Sequence, residues 1–204
     1  MVLRGLAEVN TAPYVWRMTA PRLTPEDWIA AAFRRLGKGG IASVRAEAVA
    51  RDLGVSKGSF YWHFKDLPDL RRRMLGHWED QGTARIITLT RGTEARPAAQ
   101  QLRALLELAT SDLADPYGGL STEAAIRDWA RTDPLAAQVQ TRADQTRLAF
   151  LTGLLQAMGQ ADDQAARVAR LTLMAYTGAV HRGITDRADL LEDLTFLIDR
   201  LTRG

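Results

Sequence analysis

Apolar residues recur along this chain at steps of three and four, the spacing of one helical face, and no stretch shows the alternation of a half-buried strand. Thr24-Pro25-Glu26-Asp27 starts the first helix, with a hydroxyl N-cap, proline at the first position and acids in the first turn. Trp28, Ile29, Ala32, Phe33 and Leu36 form its buried face, and Gly37-Lys38-Gly39-Gly40 ends it. Val49, Ala50 and Leu53 share a face of a second, short helix, and Gly54 suits the left-handed position that closes it. Val55 plugs the turn, Ser56 is the N-cap of a third helix, and Phe60 and Phe64 mark that helix's buried side. Asp66 caps a long helix with Leu67, Leu70, Met74 and Trp78 at helical spacing, a pattern that continues to Ile86 or Leu89.

Beyond Arg91 the period stays helical. Pro97 opens a helix with Leu102, Leu105, Leu106 and Ala109 inward, and Asp115-Pro116-Tyr117-Gly118-Gly119 breaks the pattern. Ser121-Thr122-Glu123 restarts it with Ile126 and Trp129, and Asp133-Pro134 starts a helix carrying Leu148, Leu151, Leu155 and Met158 beside Phe150 and Leu154. Asp162-Asp163 caps the next, which holds Val168, Leu171, Ala175, Gly178 and Ala179, and the last runs from about Arg187 to Leu201. The expected fold is all-α, about nine helices. Residues 1–21 have no clear period and read as an N-terminal arm, whose Arg17 (with Arg22 just beyond) could reach a phosphate or a minor groove but is more simply a tail with incidental charge.

Charge separates the two ends of the chain. Net charge over the 204 residues is +3, yet residues 17–73 hold twelve Lys or Arg against six Asp or Glu, and residues 74–204 fourteen against seventeen. A basic front and an acidic back suit a front that meets a polyanion. With no cysteine there is neither a disulfide framework nor a thiolate metal site. No run has signal-peptide length, and none approaches the roughly 20 apolar residues that span a bilayer. A cytoplasmic protein without membrane association is expected.

Arg45 to Phe64 is the stretch that suggests a function. A short helix, a glycine turn and a second helix with a polar, aromatic outer face are the parts of a helix-turn-helix, whose second helix enters the major groove of double-stranded DNA. Arg45, Ser56, Lys57, Gly58, Ser59, Tyr61, Trp62, His63 and Lys65 are the candidate DNA-binding residues. The string VARDLGVSKGSFYWHF, followed by DLPDLRRRML, resembles the DNA-binding motif of the tetracycline-repressor (TetR-like) family of bacterial transcription regulators. Gly54, Val55, Ser56, Gly58, Phe60, Tyr61, His63 and Phe64 match it in one register, and the resemblance covers about residues 24–75. One position departs from it: Leu67 stands where the family commonly carries a basic residue, and Lys65 is the nearest substitute. The run Arg71-Arg72-Arg73 reads as a solvated helix face rather than a phosphate contact.

The resemblance implies a helix-turn-helix domain over 22–66, a ligand-binding and dimerisation domain over 67–204, a homodimer, an operator and a small-molecule effector. Candidate ligand-binding residues are Trp78, Leu105, Trp129, Phe150, Met174 and Tyr176. Apolar residues on two neighbouring stripes of the last helix, and small residues on the one before it, make Ala175, Ala179, Leu190, Leu194, Leu197 and Leu201 the candidate dimer interface. No cofactor and no catalysis are expected. The three histidines are scattered, no H-E-x-x-H or G-x-S-x-G string occurs, and Gly37 to Ala42 fits G-x-G-x-x-A but follows a helix instead of a strand. A repressor is the leading expectation. An activator or a ligand-independent regulator of the same fold remains open, as does a helical small-molecule-binding protein or enzyme without DNA binding.

Overall fold

A computed structural model describes residues 23–92, 96–111, 115–117, 119–184 and 186–202. The arm expected over residues 1–21 and Arg22 lie outside the described residues. All regular structure among the described residues is helical: α1 (Pro25–Gly39), α2 (Ala46–Asp52), α3 (Lys57–Phe60), α4 (Leu67–Glu79), α5 (Arg85–Arg91), α6 (Ala98–Thr110), α7 (Gly119–Ala130), α8 (Pro134–Ala157), α9 (Asp162–His181) and α10 (Arg187–Thr202). Short turns at Ile41–Ser43 and Asp115–Tyr117 connect them, and the five-residue π turn Asp80–Ala84 joins α4 to α5. With α4, the π turn and α5 counted as one continuous run, the described residues make nine helices.

The helix ends follow local chemistry. Thr24 and Asp27 form a capping box, each side chain satisfying the other's backbone N–H. Asp66 and Asp133 cap α4 and α8 by accepting backbone N–H groups one turn on. Three local readings need correction. Gly37 does not stop α1: it lies inside the helix, where a β-carbon would meet the Ser121 hydroxyl at 2.7 Å. Its bareness lets α1 approach α7, and the helix ends at Gly40 instead. Asp162 and Asp163 occupy the first turn of α9 while Ala161 is the N-cap. Ser56 is the N-cap of α3, but its hydroxyl makes no capping bond and lies 3.3 Å from the Ser59 hydroxyl.

Two apolar cores hold the chain. The first gathers Trp28, Phe33 and Leu36 of α1, Val49 of α2, Phe60 of α3, Phe64 and Leu70, Met74 and Leu75 of α4, and continues into Ile126 and Trp129 of α7 and Val139 and Ala143 of α8. It therefore runs straight across residue 66. The second packs Leu102 and Leu106 of α6, Leu151 and Leu155 of α8, Val168 and Ala169 of α9, and Leu190, Leu194 and Ile198 of α10.

Candidate nucleic-acid interface and interior cavity

Gly54, at φ 68°, turns the chain between α2 and α3 in a conformation that L side chains rarely adopt. Phe60 and Phe64 then anchor α3: each is about 1–2% exposed, and their rings meet Trp28 of α1 edge-on at centroid distances of 5.6 and 6.4 Å. This tripod pushes the intervening residues outward. Tyr61 is 58% exposed and Trp62 80%, unusual for residues of that size and the largest apolar surface of the N-terminal helices. Arg45, Ser56, Lys57, Gly58 and Lys65 are also exposed, and Ser59 is half-buried. His63 differs from the outward placement expected of it: it is half-buried, its ring 6.0 Å from that of Trp28.

Lys57, at the start of α3, is paired with Glu47 of α2. The hydrogen bond and charge of Glu47 raise the lysine's pKa and those of Lys57 lower the carboxylate's, so both stay ionised at neutral pH. Arg72 and Arg73 both reach Asp69, and Arg73 also lies 5.2 Å from the Phe64 ring centre, which engages two of the three consecutive arginines within the helix. Leu67 packs on the first core.

The second feature is a partly open cavity of about 150 Å³ between the π turn, α5, α6, α7, α8, α9 and α10. Ile86, Ile87, Leu105, Leu148, Phe150 and Leu173 give it an apolar wall, and Gln81, Thr83, Tyr117, Arg147 and Tyr176 bring polar groups to it. Behind the wall lies a buried ionic cluster that sequence reasoning missed. Arg127 grips Glu123 (2.8 Å) and Asp144 (2.6 Å), and Arg147 reaches the same Glu123 oxygen at 2.8 Å. The Trp78 indole N–H donates to the other Glu123 oxygen at 3.2 Å. Arg147 also donates to the Thr83 hydroxyl (3.0 Å) and the Gly82 carbonyl (3.1 Å), tying α8 to the π turn. The signal was present as a Glu123–Arg127 pair four apart on the face that carries Ile126, charges set where apolar residues belong. Burial would raise the Glu123 pKa, but Arg147 and Arg127 outweigh it and hold the carboxyl below its usual range.

The candidate ligand residues divide. Leu105, Phe150 and Tyr176 line the cavity. Trp78 stands behind it, bonded to Glu123. Trp129 belongs to the first core, and Met174 is 65% exposed on the outside of α9, so neither faces the cavity. The candidate dimer residues divide too. Leu190 and Leu194 are buried in the chain's own second core, because their stripe of α10 is the one that covers α6 and α9. Leu197, Leu201 and Ala179 are half-buried, and Ala175 is exposed. The outward stripe of α9 is instead Leu171, Met174, Ala175 and Gly178, with Phe196 of α10, 62% exposed, as a further apolar outlier. Among the described residues no group of acidic residues and histidines is placed to hold a metal ion, and no helix is long and apolar enough to cross a membrane.

Residues 29–73, which include α2, α3 and the exposed aromatic pair, match the family described as bacterial regulatory proteins, tetR family. No curated protein matches the chain. Solved structures do. A transcriptional regulator from Rhodococcus sp. Rha1 is 24% identical, with a TM-score of 0.69 over 89% of this chain and 97% of that one. A TetR transcriptional regulator from Legionella pneumophila is 15% identical, with a TM-score of 0.70 over 87% and 96% of the two chains. The transcriptional regulator FadR from Bacillus subtilis, in complex with stearoyl-CoA, is 17% identical, with a TM-score of 0.65 over 89% and 99%. At these identities the likeness establishes a common fold. Residues 29–73 thus match the tetR family of bacterial regulatory proteins, and the chain shares its fold with solved transcriptional regulators.

Proposed function

We propose that this chain is a sequence-specific DNA-binding regulator of transcription that works as a homodimer, in the cytoplasm, as a repressor released from its operator by a small molecule held in the cavity. The observation that carries the DNA-binding part is the exposed surface of α3 and the turn after it. Tyr61 and Trp62 are thrust into solvent by the buried Phe60 and Phe64, beside Lys57, in the position where a recognition helix meets the major groove. In that register Lys57 and the Tyr61 hydroxyl serve phosphates, while Ser59 and Trp62 are available to base edges.

A partner subunit is supported by the apolar stripe Leu171, Met174, Ala175 and Gly178 on α9, joined by Phe196 on α10. Two helices from each subunit would form a four-helix bundle with two-fold symmetry, so every contact occurs twice. A ligand is supported by the cavity, and by the Arg147 contacts that join its wall to the π turn in the run leading to the DNA-binding helices. The Bacillus subtilis regulator holds stearoyl-CoA. The cavity here, about 150 Å³, has the size of an engineered cavity that takes benzene, which supports a much smaller ligand.

Selection from random duplexes tests the reading. The protein should enrich a two-fold symmetric site whose half-sites lie about 34–36 Å apart or a multiple of that. Absence of any enriched sequence would contradict it.

A further inference from the structure

The chemistry of the cavity wall defines what it holds. The cluster behind it is electrically closed. Glu123 and Asp144 supply two negative charges and Arg127 and Arg147 two positive ones, and each is used on another member. The two Glu123 oxygens accept from Arg127, Arg147 and Trp78. The Arg147 guanidinium has its Nε on Thr83, Nη1 on Glu123 and Nη2 on Gly82 and Glu123. A charged ligand would find no unpaired counter-charge in this cluster, which disfavours it.

The neutral polar groups are mostly occupied as well. Gln81 is bonded to Asp80 and Arg85, Thr83 accepts from Arg147, and the Thr172 hydroxyl returns to the Val168 carbonyl. The two phenols of the wall, Tyr176 and Tyr117, are different. Neither hydroxyl has a hydrogen-bond partner among the described residues, and that of Tyr176 lies in the field of Glu123 and of Arg147, Arg127 and Arg187. The Tyr176 side chain is half-buried and lines the cavity. A phenol withdrawn from bulk water ordinarily finds a partner, and the space beside Tyr176 is the cavity.

We infer that the cavity takes an uncharged molecule of about one ring in size, apolar over its body, whose single hydroxyl or carbonyl group hydrogen-bonds the Tyr176 hydroxyl. This rests on the reading of the cavity as the effector site. Tyr176 is then the specificity-determining residue, and Arg147 is a positioning residue that holds the wall and the π turn together. Tyr117 differs from Tyr176 in that its ring packs on the first core, 4.3 Å from that of His77 and 6.2 Å from that of Phe33.

Calorimetric titration with three ligands of one shape tests it: toluene, p-cresol and p-toluate, at neutral pH. The wild-type protein should bind p-cresol about tenfold or more tighter than either of the others, the size of effect one satisfied buried hydroxyl gives. Tyr176→Phe should abolish the advantage of p-cresol over toluene and leave toluene unchanged, while Tyr117→Phe keeps the advantage. Preference for p-toluate, an undiminished preference for p-cresol in Tyr176→Phe, or no binding of any of the three would overturn the inference. Adding p-cresol to the protein–operator complex separates the two readings. If p-cresol binds as described but leaves operator affinity unchanged, the ligand class stands and the effector role falls.

Discussion

Lys57 carries an internal competitor. The Glu47 carboxylate holds it in the absence of DNA, so a phosphate must displace that partner before it gains the lysine. Glu47→Gln should therefore strengthen binding a few-fold on any duplex at low salt, measured by titration against operator and random DNA. Lys57→Ala should weaken both and lower the salt slope by about one unit. Unchanged affinity in both variants would remove Lys57 from the interface. Phe60 acts from the opposite side, as the ring that keeps Tyr61 and Trp62 outside. Phe60→Ala should cost about 3–5 kcal/mol of stability by denaturant titration. Most of this motif was legible residue by residue, because a glycine turn and two phenylalanines four apart determine which side chains must face out. The exceptions had competing partners close by. The Ser56 hydroxyl lies against Ser59 rather than capping α3, and His63 stacks near Trp28, neither of which spacing reveals.

The run from α4 through the π turn to α5 connects the first core to the cavity. Phe64 and Leu70 tie its beginning to the first core, and Arg147 holds Gly82 and Thr83 beside the cavity. A π turn leaves backbone groups outside the regular ladder and is frequent at functional positions. Here the Gly82 carbonyl accepts from a guanidinium. Apolar periodicity extended this helix correctly toward Leu89 but gave no sign of the π turn, which leaves the spacing of Leu70, Met74 and Trp78 undisturbed. Glu123→Ala would strand Arg147 and should cost about 3–5 kcal/mol. The carboxylate's lowered pKa gives the protein stability that is complete above the ordinary carboxylate range and lost as pH falls through the lowered value. His77, within α4, works in the same direction by another route. Burial lowers its pKa against the pull of Asp80 and Glu26, so the folded chain resists protonation that the unfolded chain accepts. Stability should fall as pH drops below about 6.5, the ordinary histidine value, toward the lowered one. His77→Phe should flatten that part of the pH–stability curve, and an unchanged slope would show that His77 does not cause it.

Over the whole molecule, the fold class and the helix order were readable from the three-and-four spacing, while the assignment of faces was not. Leu190 and Leu194 seemed to offer a partner surface because two apolar stripes on one helix exceed what a single core needs. Tertiary packing consumed those residues and left Leu171, Met174 and Phe196 outside. Met174→Asp with Phe196→Asp should give a folded monomer by sedimentation, whereas Leu194→Glu should unfold the chain, since it puts an unpaired charge in a core. A wild-type protein that sediments as a monomer at micromolar concentration would remove the proposed partner face. In the proposed release mechanism, the first core, continuous from α1 to α8, is the route from the cavity side to α3. All of this presupposes a protein that reads DNA sequence. The most direct measurement is the affinity of the wild-type chain for its selected duplex and for a shuffled one, across a range of salt concentrations. A preference of at least about 10³-fold is expected, reduced in Trp62→Ala. Equal affinity for the two duplexes at every salt concentration would contradict it.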